Sequence, residues 1–161
     1  MTAMLLAFAL LAQDTVDNPE YKGWAPFKPG SSVTYKLERN GAPQEGTQKS
    51  TLKSVSETEA VIETEIVQKG AAVGKPFERK IPAKVPAEKQ GKVLKTGEEE
   101  IEVAGKKMTC AWKEIDSANP SRPGTMKVWI SDEIPGKGAR IELTGASGGK
   151  SVMIASEWEK K

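Results

Sequence analysis

The sequence predicts a mainly β protein: a single curved antiparallel sheet, a half-barrel or open barrel, with one short amino-terminal helix. Beyond residue 12 only four leucines remain, at positions 37, 52, 94 and 143, against twenty valines and isoleucines. That balance suits strands and disfavours amphipathic helices. Apolar and polar residues then alternate with period two in stretch after stretch, the mark of strands with one dry and one wet face. Glycine-bearing turn dipeptides separate these stretches, so consecutive strands are joined by short hairpins and run antiparallel. A wholly parallel sheet would be buried on both faces and would not alternate.

In chain order, residues 4–12 come first, the one strongly apolar run. It is far short of the roughly 20 residues that span a bilayer. Residues 1–12 therefore read as a signal peptide, and residues 13–161 as a single antiparallel β domain. Cleavage after Ala12 or after Ala9 both fit, and no Lys or Arg precedes the run. Export places the protein in the periplasm or outside the cell, and no membrane span is expected. Next, Asn18-Pro19 supplies a helix cap and a first-turn proline, and Pro26 stops the helix after Tyr21 and Trp24.

The first clear strand alternates Val33, Tyr35 and Leu37 against Thr34, Lys36 and Glu38. Later strands show Met108, Cys110 and Trp112 against Lys107, Thr109 and Lys113. They continue with Met126, Val128 and Ile130, then Ile141 and Leu143, then Val152, Ile154 and Trp158. Turn signals fall at Asn40-Gly41, Lys69-Gly70, Ala104-Gly105, Pro123-Gly124, Pro135-Gly136 and Gly148-Gly149. Residues 82–92, with two prolines and few large apolar groups, read as an exposed connection holding at most one helical turn.

Composition narrows function by exclusion. Lys and Arg total 24 and Asp and Glu 22, a formal charge of +2 with the signs interspersed, so no field steers nucleic acid. Histidine is absent, which removes Ser-His-Asp and Cys-His catalysis and every His-ligated metal site. Cys110 is the lone cysteine; it alternates in phase with Met108 and Trp112 and reads as core. The triplet Asn119-Pro-Ser121 fails as a glycosylation acceptor because proline fills its middle position.

Several motifs spell chemistry without its context. Ser50-Thr-Leu-Lys53 and Lys95-Thr-Gly97 match elements of serine acyl-transfer enzymes. That chemistry needs a helical turn to bring serine and lysine together, whereas strand spacing puts them on opposite faces. Ser131-Asp132 is followed by Glu133, not Asn. Residues 145–151, Gly-Ala-Ser-Gly-Gly-Lys-Ser, imitate a phosphate loop, but Thr144 stands where its first glycine belongs and a strand follows. The acidic groups Glu98-Glu-Glu100 and Asp132-Glu133 read as wet-face residues neutralised by cross-strand lysines. No catalytic residue, metal ligand or cofactor is assigned.

Four tryptophans carry the remaining information. Trp24, Trp112 and Trp158 fit the apolar set. Trp129 falls between Val128 and Ile130, on the face of Lys127, and is expected to be partly exposed or covered by a loop. Trp129 and Trp24 are the candidate interaction surface. Trp112, Val128, Ile130, Ile141 and Ile154 are the candidate lining of an apolar ligand groove.

The hairpin Val128-Trp-Ile-Ser-Asp-Glu-Ile-Pro-Gly136, followed by Ile141-Glu142, resembles one in periplasmic half-barrel proteins of the outer-membrane lipoprotein carrier type. It is also similar to that of small exported bacterial β proteins that share a turn like Glu102-Val-Ala-Gly-Lys106. The resemblance implies a curved sheet cupping an apolar cavity that helices close and acyl chains fill. Here the short segment near residues 18–25 is the whole helical complement, so such a cup would take a partner as its lid. The functional expectation is a noncatalytic exported binding or carrier domain for an apolar or lipid-like ligand or an envelope protein. The alternatives are an interaction module with a filled core and a carboxylate-based hydrolase.

Overall fold

The computed structural model describes residues 14–116 and 123–161. The leader and the Asn119 triplet lie outside them. The strands are β1 (Thr15–Asp17), β2 (Ser32–Arg39), β3 (Ala42–Val55), β4 (Glu59–Gln68), β5 (Ala71–Ala72), β6 (Phe77–Pro82) and β7 (Lys84–Pro86), then β8 (Val93–Val103), β9 (Lys106–Asp116), β10 (Gly124–Ile130), β11 (Gly138–Gly145) and β12 (Lys150–Glu159). One helix, α1 (Pro19–Trp24), precedes β2.

Every pairing is antiparallel. Among the described residues the main sheet runs β5-β4-β3-β2-β12-β11-β10-β9-β8, with β6 also on β4 and a separate β1-β7 ribbon beside it. The sheet is not closed into a barrel: β8 forms one edge. Three hairpins turn on dipeptides with both residues at positive φ, namely Asn40-Gly41, Lys69-Gly70 and Ala104-Gly105. That geometry matches the right-handed strand twist, which is why these dipeptides punctuate the sequence. The connection over 82–92 holds β7 and a single 3-10 turn, Ala87–Lys89.

Helix α1 starts as the sequence dictates. The Asn18 side chain accepts from the Glu20 N–H at 3.0 Å, and Pro19 occupies the first turn. Six residues cannot sustain a helix alone. Tertiary ties hold it: Arg79 grips Glu20 at 2.8 and 2.5 Å, and Asn18 Nδ2 donates to the Pro82 carbonyl. At its far end the Gly136 N–H donates to the Gly23 carbonyl, and a Cβ on Gly23 would stand 2.7 Å from the Gly136 oxygen. Only glycine permits that approach.

Arg79 lies opposite Ile62, so α1 covers the sheet face that carries Ile62. We call this the helix face and its reverse the far face. The helix face buries Val33, Tyr35, Leu52, Ile62, Ile81 and Ala155. One contiguous core joins these to Trp24, Ile134, Val103, Cys110 and Trp129. β8 touches β12, and Lys106 Nζ sits 5.9 Å from the Trp158 ring, so the β8-β9 hairpin curls back toward the carboxy-terminal strand. Among the described residues no helix is long and apolar enough to cross a membrane.

Candidate functional site

Cross-strand register decides which side chains share a face. Val128 lies opposite Ile141, Ile141 opposite Met153, and Met153 opposite Leu37. These four form an unbroken apolar row across β10, β11, β12 and β2 on the helix face, each half-buried. Met126 and Leu143 pair alongside, and Leu143 is 44% exposed. The Ile130 backbone pairs with Gly138, whose missing Cβ would meet Ile141 and the Tyr35 hydroxyl. Helix α1 reaches β4, β6 and Gly136, at the end of the sheet where β10 turns toward β11. The Met126 and Leu143 end of the row has no such cover among the described residues.

The structure therefore brings Val128, Ile130 and Ile141 together and places Trp112 and Ile154 behind the sheet. Trp112 pairs with Trp129, Trp129 with Arg140, and Arg140 with Ile154, all on the far face. A shallow hollow lies at the β3-β4 edge, lined by Glu45, Gly46, Thr47, Val67, Lys69 and Gly70.

Trp129 is covered rather than partly exposed, and by side chains of neighbouring strands rather than by a loop: it is 4% exposed, and Trp24 is 5% exposed, so neither ring faces solvent. The reason is a far-face cluster. Lys127 Nζ stands 4.0 Å from the Trp112 ring centroid and 4.3 Å from that of Trp129, a cation between two π faces. The Arg140 guanidinium lies 5.2 Å from the Trp129 centroid. Trp129 Nε1 donates to Glu99 Oε2 at 2.9 Å, and Lys127 Nζ reaches the same oxygen at 3.3 Å. The indole N–H and the lysine hold the Glu99 carboxyl below its usual range. Gly97 lies opposite Trp112, and a Cβ there would fall 2.8 Å from the ring, so the glycine makes room for the indole. Glu99, Lys127 and Arg140 were not legible as a group; a Glu within an acidic run carries no signal of a tryptophan thirty residues on.

The spurious motifs dissolve in place. Ser50 is buried against Thr64, their hydroxyls 3.5 Å apart, while Lys53 pairs with Glu63 at 3.3 Å. Residues 145–151 form the β11-β12 turn and the start of β12. Burial pushes the Cys110 thiol up, as for a core residue. Several carboxylates are held in separate ion pairs: Glu100 with Lys107, Asp132 with Lys137, and Glu142 with Arg140 and Lys150. No cluster of three or more potential metal ligands occurs among the described residues.

Compared by sequence, the chain matches no family model and no curated protein. Compared by structure, it superposes on a Bacteroides fragilis protein described as exported, with a YmcC-like fold: TM-score 0.55, 10% identity, 85% of this chain and 99% of the other. It also superposes on MucB in its complex with MucA(peri): TM-score 0.52, 13% identity, 88% of this chain. It shares their fold. The chain spans 54% of MucB's length. At these identities the likeness is one of fold, and at that level it agrees with the half-barrel resemblance read from the hairpin.

Proposed function

We propose that this chain is a noncatalytic binding domain of the bacterial cell envelope, exported by its leader, whose half-exposed apolar row seats a partner protein. The observation that carries the reading is the row itself: four strands supply Val128, Ile141, Met153 and Leu37 in register, and Leu143 stands 44% exposed at its open end. Ile141 and Met153 also pack against the core, yet the row is only partly covered and Leu143 stands open, and contiguous apolar surface of this kind marks contact sites. Methionines at two of the six positions suit a surface that adapts to its ligand. The neighbour MucB is itself bound to MucA(peri). An interaction module is favoured over a carrier because Trp112 and Ile154 lie on the far face, so the five expected lining residues do not converge on one groove. Catalysis is disfavoured because the candidate carboxylates are scattered: Glu99 and Glu100 lie on opposite faces of β8, and Asp132 pairs with Lys137 in the β10-β11 loop.

The test is native mass spectrometry of protein recovered from the cell envelope, together with a photo-crosslinking residue at position 143 and a control at Lys53. Loss of the leader and a protein crosslink specific to position 143 are expected. A stoichiometric lipid adduct would favour carriage instead, and an unprocessed cytosolic chain would overturn both.

A further inference from the structure

β8 is the open edge of the sheet, apart from the apolar row. β8 and β9 are joined by the two-residue turn Ala104-Gly105, with φ of +53° and +74°, and Val103 pairs with Lys106. In a two-residue hairpin the residues flanking the turn form a hydrogen-bonded pair, and bonded and non-bonded pairs then alternate along the ladder. The register is unbroken from Val103 back to Lys95. Val103, Ile101, Glu99 and Gly97 therefore spend their backbone groups on β9. Glu102, Glu100, Glu98 and Thr96 turn their N–H and C=O groups outward.

Among the described residues β8 pairs with β9 alone; it also touches β12, and Val103 at its turn end is buried, while residues 93–100 are all exposed. The open ladder from Thr96 to Glu102 is about 20 Å long, enough for a peptide strand. Its outward-bonding positions carry three glutamates at every second residue, and Glu98 and Glu102 have no ion-pair partner among the described residues. At the other end Val93 and Leu94 are 50% and 45% exposed, although large apolar residues are uncommon at a free edge.

We propose that the open edge of β8 accepts an extended protein segment with Lys or Arg at alternate positions, flanked by an apolar residue. The segment adds a strand through the backbone groups of Thr96, Glu98, Glu100 and Glu102, and pairs its cations with the three glutamates while its apolar residue covers Val93 and Leu94. Main-chain bonds give affinity in such strand addition, and the alternate side chains give selectivity. A second copy of this chain is the wrong occupant. Antiparallel pairing of two β8 edges sets outward positions opposite one another, which places Glu against Glu. The opposite edge, β6, offers no better match: its Arg79 and Lys80 are already paired with Glu20 and Glu59, and Pro82 has no N–H to donate.

Amide hydrogen exchange of the whole protein tests this, with a blocked peptide of alternating lysine and valine as probe and its glutamate–valine counterpart as control. At about ten times Kd the lysine peptide is expected to slow exchange about tenfold at Thr96, Glu98, Glu100 and Glu102. The amides of Gly97, Glu99 and Ile101, already bonded to β9, stay unchanged, and the glutamate peptide protects none. Reversal of charge in E98K/E100K/E102K exchanges the two peptides' preferences; E100P, which removes one outward N–H and leaves the β9 ladder whole, weakens the lysine peptide. No protection at the four amides of the unmodified protein overturns the proposal, as does equal protection by both peptides, or protection without peptide through self-association. A crosslink at position 143 with no protection along β8 would sink this proposal and leave the apolar-row reading standing.

Discussion

The chain contains two tyrosines, and each donates its hydroxyl proton to a backbone carbonyl: Tyr35 to Gly138 at 3.0 Å and Tyr21 to Ser56 at 2.7 Å. Length alone ranks the Tyr21 bond as the stronger. Burial reverses the order. Tyr35 is 6% exposed, and its hydroxyl spans from β2 to β11 across the intervening β12, so it acts as a chord holding the curve of the sheet beneath the apolar row. Burial also pushes the phenol pKa far above its usual value, so the group stays a donor at any ordinary pH. Tyr35→Phe strands the Gly138 carbonyl where water cannot replace the lost donor, which costs about 1–3 kcal/mol. In Tyr21→Phe the bond is at the surface, water takes over, and the change stays within about 0.5 kcal/mol. Urea unfolding followed by tryptophan fluorescence measures both, with the loss read from the midpoint at constant m. In a domain of this size the Tyr35 variant should melt roughly 2–10 °C lower. Equal losses, or a larger loss for Tyr21→Phe, would refute the argument that burial outranks bond length here.

Further outcomes follow from the far-face cluster. Glu99 titrates below the ordinary carboxylate range, so the stability it contributes is complete above its unfolded pKa of about 4.3 and is lost as pH falls through the lower folded value. The Trp129 indole N–H resonance should therefore shift only at a pH below that at which an ordinary carboxylate titrates, and Glu99→Gln should abolish that shift. Gly97→Ala drives a methyl group to 2.8 Å from the Trp112 ring and should cost about 1–3 kcal/mol, with altered tryptophan fluorescence; an unchanged melting temperature would contradict the packing. Leu143→Lys, at a 44% exposed site, should leave stability within about 0.5 kcal/mol while abolishing the crosslink of the partner to the apolar row.

Much of the fold was legible because its causes are local. Alternation, valine and isoleucine over leucine, and Asn-Gly, Lys-Gly and Ala-Gly turns are properties of short stretches, and they place the hairpins without reference to the rest of the chain. The helix was equally local: Asn18 caps it, Pro19 opens it and Pro26 forbids its continuation. The exclusion of Ser50 and Lys53 as a catalytic pair rested on the same short-range geometry. Strand phase relative to a neighbour is different. Alternation says that Trp112 and Trp129 each lie on one face of their own strands, but only the register, with its β-bulges beside Trp129, Ala155, Lys36 and Leu52, says that they share one.

Both faces of β10 proved partly dry. Trp129 sits on the strand's charged side, where the sequence predicts partial exposure or a covering loop, and is buried there instead because Lys127, Glu99 and Trp112 close around it. Sequence alone determined the antiparallel hairpins, the short helix and the absence of histidine chemistry, since each depends on residue type and nearest neighbours. Tertiary structure alone decided that Val128, Ile141, Met153 and Leu37 line up, that Trp112 and Ile154 stand behind them, and that β8 is an edge. Those outcomes depend on which distant strand lies beside which, and a single residue of slip would exchange every face.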